Sequence, residues 1–259
     1  MSGLFTVDRG DGTPLIVLHG LTIDHRMMLP LDPVIEAAGS WRRHYVDLPG
    51  HGRSTRVEPM TTDTTVSVVA DYVTDVVGER RFALLAASFG GAVALELTDR
   101  FQDQLLGCAL LAPAVLPRRL RTLPPPAATG LNEAFLQTLP CEDRAAFTAV
   151  TAQQDPQRWT LFKRYIQPGL LAHDRGAVAE LAAWQATARA REPQRHLGRH
   201  LIVTGRQDTV VGWRDQVALL DVFPHATYTA LDDCGHNVHL EHSDVVAGLL
   251  TAWLHALRD

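Results

Sequence analysis

Residues 82–91 read Phe82-Ala-Leu-Leu-Ala-Ala-Ser88-Phe-Gly-Gly91, an unbroken apolar run that ends in a serine set among small side chains. A short apolar run bounded by such a turn signal predicts a buried strand, and the pattern after Ser88 predicts a helix over 89–100. The chain must therefore pass from strand to helix within a residue or two of the serine. A turn that tight closes only if nothing large stands two residues before or after it, and Ala86 and Gly90 meet that condition. Gly91 lets the helix pack close to the sheet. Two readings of the turn are open at this point: a serine presented for chemistry, or an ordinary helix N-cap.

Two later strands end in residues that suit the first reading. Leu201-Ile-Val-Thr-Gly-Arg-Gln-Asp208 is a second apolar run, closing on a carboxylate after Gly205. A third, 226–231, is followed by Asp232-Asp-Cys-Gly-His236. Asp208 lies 120 residues after Ser88, and His236 a further 28. The carboxyl ends of parallel strands share one edge of their sheet, so loops this far apart in sequence converge there. A serine hydroxyl is a poor nucleophile at neutral pH and needs a base within hydrogen-bond reach. Asp232 and Asp233 sit close in sequence to His236 and are substitutes for Asp208 should that residue point away.

Two more segments make the pattern specific. Pro14-Leu-Ile-Val-Leu-His19-Gly20-Leu21 is a strand leading into a His-Gly turn, and Asp47-Leu-Pro-Gly-His-Gly-Arg-Ser54 is a glycine loop after the next strand. In this order the four blocks resemble the α/β-hydrolase superfamily, in its small capped branch of esterases, carbon–carbon bond hydrolases, perhydrolases and proline iminopeptidases. The resemblance runs from Pro14 to the C-terminal helix; it departs from the usual elbow, Gly-x-Ser-x-Gly, by the one methyl group of Ala86. It implies an α/β-hydrolase fold: a mostly parallel sheet with helices on both faces and an inserted helical cap. It further implies that Ser88 is a nucleophile on a strained turn, that His236 is its base and that Asp208 orients the imidazole. The backbone N–H groups of Leu21 and Phe89 would form the oxyanion hole. No cofactor and no metal is implied; the partner is a small acyl substrate, an ester, thioester, lactone or activated carbon–carbon compound. Serine at position 88 excludes the aspartate-nucleophile branches. A second class stays open, a ligand-binding or signalling protein of this fold that retains the triad with little turnover.

Composition narrows the rest. A chain of 259 residues suits one α/β domain with a modest insertion. Its 46% hydrophobic and 20% charged residues are those of a soluble globular protein. A net charge of −5, with no basic arm or stripe, argues against nucleic acid as a partner. No stretch reaches about 18 apolar residues and no charged leader precedes an apolar run, so neither membrane spanning nor secretion is expected. Cys108, Cys141 and Cys234 are odd in number and scattered, which predicts reduced thiols in a cytoplasm. A monomer or homodimer is expected.

Along the chain, strands are predicted at 4–7, 14–18, 43–47, 82–86, 106–111, 200–204 and 226–231, alternating with helices at 25–38, 65–77, 89–100, 213–223 and 239–257. Residues 1–113 and 199–259 then form the two parts of the hydrolase core. Between them 114–198 changes character. Pro117, Pro124, Pro125, Pro126 and the arginines Arg118, Arg119 and Arg121 form a stiff polar entrance. Helices follow at 132–138, 142–152, 156–166 and 175–192, and the whole segment is read as the cap over a mostly apolar pocket. Trp159, Phe162 and Trp184 are candidates to line that pocket, although their helical spacing makes cap core the better reading for at least two of them. The three arginines are read as solvated linker or as partners of a substrate carboxylate. His19 is expected to be structural and His51 exposed, and Asp24 is a helix N-cap or a substrate contact. His236, His239 and His242 recur every third residue, but no cysteine or carboxylate completes a metal ligand set.

Overall fold

The computed structural model describes residues 3–190 and 193–258. Its seven strands are β1 (Thr6–Arg9), β2 (Thr13–Leu18), β3 (Trp41–Val46), β4 (Phe82–Ala87), β5 (Leu105–Leu111), β6 (His200–Gly205) and β7 (Ala226–Leu231). They form one sheet in the order β1-β3-β2-β4-β5-β6-β7. Only β1 is antiparallel to its neighbour; every other pairing is parallel. After β2 the chain moves outward to β3 and then crosses back to β4, so the direction of winding reverses between β2 and β4. Loops leaving those two strands diverge and open a crevice, where open α/β sheets bind ligands.

All six residues of β4 are buried. Alternation along the strand divides them between two cores. Ala83, Leu85 and Ala87 face α1 (Asp32–Ala37) and α11 (Ser243–Ala256), against Ile35, Val246, Leu250 and Leu254. Phe82, Leu84 and Ala86 face α2 (Thr62–Val77) and α3 (Phe89–Arg100), against Val66, Val69, Val93 and Leu97. A sheet covered on both faces needs strands that are apolar throughout, which is why these runs show no period-two pattern.

Several predicted helices are shorter or divided. The helix expected at 25–38 is a 3₁₀ segment, His25–Leu31, followed by α1. Pro30 lacks the N–H that an α-helix would use there. The segment 213–223 becomes a 3₁₀ turn, Asp215–Ala218, and α9 (Leu219–Val222). The last helix divides at His242 into α10 (Val238–Glu241) and α11.

Between β5 and β6 lie α4 (Glu133–Gln137), α5 (Cys141–Thr148), α6 (Pro156–Tyr165), α7 (Gln167–Ala172) and α8 (Arg175–Thr187). Asp155 and Asp174 cap α6 and α8 by accepting from the N–H groups of Arg158 and Ala177. The helix expected at 142–152 stops at Thr148, and 149–154 follow as a turn and irregular chain, with Gln153 bridged to Thr129. Residues 191 and 192, the end of the helix expected at 175–192, lie outside the described residues. No helix among the described residues is long and apolar enough to cross a membrane.

Besides His236, six histidines, His19, His44, His51, His196, His200 and His239, are buried. Loss of solvation holds each below the usual histidine range, His51 and His200 to about 3 and His239 to about 4. Each group keeps its neutral form to a lower pH in the fold than in the unfolded chain, which gains protons below about pH 6.5. The unfolded chain then binds more protons, and stability is lost as the pH falls from there. Glu241 acts oppositely: burial pushes its carboxyl up to about 7, so it costs stability as the pH rises from about 4.5 to 7. Six groups oppose one, and the urea midpoint is expected to be clearly lower at pH 5 than at pH 7.5. A midpoint that rises on acidification would contradict this balance.

Candidate active site

Ser88 has φ 52° and ψ −117°, a backbone conformation that a side chain rarely adopts. The surroundings enforce it. The Ser88 N–H donates to the Leu111 carbonyl on β5 (3.0 Å), and the Ser88 carbonyl accepts from Ala114 (3.0 Å). At Gly90 a Cβ would stand 2.5 Å from the His19 carbonyl oxygen, and at Gly91 2.7 Å from Pro113 Cβ, so neither site admits a side chain. Ala86, by contrast, packs its methyl into the core on the α2–α3 face. The strain holds the serine at the mouth of the crevice between β2 and β4. Its hydroxyl makes no N-cap bond to α3.

That hydroxyl instead meets His236 Nε2 at 2.9 Å, and His236 Nδ1 meets Asp208 Oδ2 at 2.8 Å. All three residues are buried, Ser88 to 8% exposure. The other carboxylate oxygen, Oδ1, accepts from the N–H groups of Val210 (2.7 Å) and Val211 (3.0 Å), which fixes the plane of the Asp208 carboxylate. A carboxylate accepts only, so Nδ1 carries the imidazole proton and Nε2 offers its lone pair to the serine. The arrangement can take a proton from Ser88 and return it elsewhere. Asp232 bonds to Gln207 and pairs with Arg206, and Asp233 bonds to Gln153, so Asp208 is the acid in contact with the histidine.

Leu21 and Phe89 border the same cavity. Phe89 opens α3, where the first N–H groups have no helical acceptor. The Leu21 N–H is aimed by His19. Leu48 donates its N–H to His19 Nε2 (2.9 Å), so the ring proton lies on Nδ1, which donates to the Gly20 carbonyl (2.7 Å). With that carbonyl held to one side, the Leu21 N–H lies on the other side of the same planar peptide. His19 is structural, as expected. His51 is not exposed but fully buried, which corrects the sequence reading. Left-handed turns at Gly50 (φ 73°) and Gly52 (φ 54°) fold it inward, where Nδ1 donates to the Pro49 carbonyl and the ring packs on His19.

Glu241 was missed by sequence reasoning. Its Oε2 accepts from Ala152 (2.7 Å) and Gln153 (3.1 Å), and its Oε1 accepts from Gly235 (3.0 Å). The His236 N–H donates to Val150 (3.0 Å). The irregular chain after α5 is thereby stapled to the histidine loop. The available signal was a lone carboxylate in an otherwise apolar and histidine-rich helix start, 238–242.

The cavity over Ser88 measures about 550 Å³. Its walls include Leu21, Phe89, Ala149, Ala186 and Val210, and also Arg118 and Arg121. None of the three aromatic candidates lines it. Trp159 and Phe162 stack on each other (5.5 Å between centroids, 16° between planes) and against Phe147, in a hydrophobic core continuous with the α1–α11 face of the sheet. Trp184 borders a neighbouring hollow of about 230 Å³, on the far side of Arg121. The arginines are not merely solvated linker: Arg121 is half-buried, and Arg119 ties the entrance to α8 through the carbonyls of Ala186 and Ala188.

The spaced histidines do not converge, since His239 Nε2 donates to the Met27 carbonyl and His242 Nε2 lies at the Asp233 carbonyl. Among the described residues one group, Asp24, His25 and Asp47, brings potential metal ligands together. Its oxygens already have partners: Asp47 accepts from His25 and Arg53, and Asp24 pairs with Arg26. Asp24 also accepts from the Arg26 N–H as an N-cap.

Comparison with known proteins agrees with this architecture. A pimeloyl-[acyl-carrier protein] methyl ester esterase of Shewanella woodyi is 26% identical over 98% of this chain and 98% of its own. Lipase LipV of Mycobacterium tuberculosis is 37% identical over a shorter stretch, 39% of this chain and 37% of that protein. The crystal structure of an alpha/beta superfamily hydrolase from Oenococcus oeni superposes with a TM-score of 0.89 at 25% identity, covering 100% of this chain and 97% of that one. The family model described as the alpha/beta hydrolase fold matches residues 13–243. The chain belongs to the alpha/beta hydrolase fold family and is a hydrolase of that fold.

Proposed function

We propose that this hydrolase cleaves small carboxylic esters through an acyl-enzyme on Ser88. The observation that carries the reading is the buried hydrogen-bond chain from Ser88 through His236 to Asp208, opening on the cavity over Ser88. As Ser88 Oγ bonds to the substrate carbonyl carbon, its proton passes to His236 Nε2. The carbonyl oxygen becomes an oxyanion and accepts from the N–H groups of Leu21 and Phe89. When the tetrahedral species collapses, the bond to the alkoxy oxygen breaks and His236 returns the proton to it. Water then attacks the acyl group with His236 as base, releasing the acid and restoring the serine. Asp208 keeps the imidazole in the required tautomer and faces the imidazolium that forms twice in each cycle. The names of the Shewanella and Mycobacterium relatives, an esterase and a lipase, favour esters over other acyl compounds.

The segment 114–198 acts in this reading as a cap, since it supplies Ala149, Ala182 and Ala186 to the cavity walls and leaves Ser88 only 8% exposed. A volume of about 550 Å³ suits a small discrete substrate. The three unpaired cysteines suit a cytoplasmic protein. With p-nitrophenyl esters of rising length, turnover is expected to be best at short and medium acyl chains and unaffected by chelator, with emulsified triglyceride a poor substrate. Preference for the emulsion would overturn the capped-pocket reading. Labelling of Ser88 by a fluorophosphonate without turnover of any ester would favour a ligand-binding role instead.

A further inference from the structure

Arg121 is held in the wall of the Ser88 cavity by neutral partners alone. Its Nε donates to the Leu116 carbonyl (2.9 Å) and one Nη to that of Val210 (3.0 Å), which leaves the other Nη without an acceptor. Among the described residues neither Arg121 nor Arg118 has an ion pair, and the Arg118 side chain has no hydrogen bond. The acids whose fields reach Arg121 are Asp208 and Asp215. Both are engaged elsewhere, Asp208 by His236 and Asp215 by the Thr122 N–H. Burial lowers the Arg121 pKa from its ordinary value, and the charge of Arg118 acts in the same direction.

Arg121 is half-buried with no ion pair among the described residues, and the exposed Arg118 borders the same cavity, so positive charge stands there that an anion would offset. The wider charge distribution has the same sense. Residues 114–198 hold eleven of the chain's 24 basic side chains and seven of its 29 acids, a net +4 on a chain of net −5. Arg118 and Arg121, which border the Ser88 cavity, belong to this net basic segment of an acidic protein.

We propose that Arg118 and Arg121 form an anion subsite in the Ser88 cavity, so that the substrate carries a carboxylate at the end remote from the scissile ester. The proposal deepens the esterase reading and rests on it. A planar guanidinium fork matches a carboxylate better than any neutral group. Ala149, Ala182 and Ala186 leave room along the wall for the methylenes between the two ends.

The test compares mono-p-nitrophenyl glutarate with p-nitrophenyl valerate, whose acyl chains have equal length and differ in the terminal charge. The glutarate half-ester is expected to be preferred in kcat/KM by about ten- to hundredfold at low salt, mainly through KM. The preference should shrink as salt is raised and collapse in Arg121→Gln. Because Arg121 also ties two loops together, Arg118→Gln is the second variant, and the ratio of the two esters is the readout in both. Free glutarate, but not neutral glutaramide, should protect Ser88 from a fluorophosphonate. Equal use of both esters, or a loss that falls equally on both in the two variants, would overturn the subsite and leave the esterase reading in place. Glutarate protection without turnover of either ester would uphold the subsite and refute the esterase reading.

Discussion

Ser88→Ala is expected to give a folded protein that no fluorophosphonate labels and whose ester turnover is lower by about 10⁶-fold. The size follows from what is removed. His236 and Asp208 can raise the reactivity of a hydroxyl only if one is present, and the oxyanion donors then stabilise a species that no longer forms. The fold should tolerate the change. Alanine keeps the Cβ that already fits at φ 52°, and the bonds holding the turn run through the backbone to Leu111 and Ala114. One buried hydrogen bond, to His236 Nε2, is lost, a cost of about 1–3 kcal/mol. Intact-mass measurement after labelling, initial rates on p-nitrophenyl butyrate and a urea titration read the three effects separately. Labelling that persists would mean a different nucleophile. Cys234, in the loop before His236, is a poor substitute: burial, reinforced by the charges of Glu241, Asp208 and Asp233, pushes its thiol up and keeps it protonated.

Residues at the ends of strands were legible in the sequence because their signals are local. An apolar run followed by small residues marks Ser88, and a similar run closing on Gly205 and a carboxylate marks Asp208. At Gly205 a Cβ would strike the backbone of Cys234 and Gly235, so the glycine that marks the strand end also lets the histidine loop approach it. The pocket was not legible in this way. Trp159 and Phe162 are three apart on α6, which puts both on one helix face, and periodicity does not say whether that face meets the cavity or Phe147. It meets Phe147. Arg121 lies in a proline-rich run with no period at all, and its place in the wall depends on Leu116 and Val210, the second 89 residues away. His51 shows the same limit. A glycine loop reads as surface, but here two left-handed glycines turn the side chain inward. Pro30, by contrast, is visible in the sequence and was sufficient to divide the helix expected at 25–38.

Asp208→Asn is expected to cut turnover by about 10⁴-fold while leaving the fold in place. The hydrogen bonds around the carboxylate decide which way the new amide turns. Asp208 Oδ1 accepts two N–H bonds, from Val210 and Val211, whereas Oδ2 accepts one, from His236 Nδ1. An asparagine satisfies the greater number by placing its oxygen toward the two backbone donors, and its NH₂ then faces the imidazole. Two donors cannot share that contact, so the ring shifts its proton from Nδ1 to Nε2. Nδ1 now accepts from the amide, and Nε2–H points at Ser88, where it can no longer remove a proton. The opposite rotamer would set the NH₂ against two N–H groups at once and leave both unsatisfied, at about 1–3 kcal/mol each. Fluorophosphonate labelling should slow along with turnover, because both need the serine deprotonated as it attacks. Asp232→Asn and Asp233→Asn touch Gln207 and Gln153 instead, and each should cost less than about tenfold. If either of them proves more damaging than Asp208→Asn in rate and in labelling, the acid of the site has been misassigned, and the hydrogen bond between Asp208 and His236 serves structure alone.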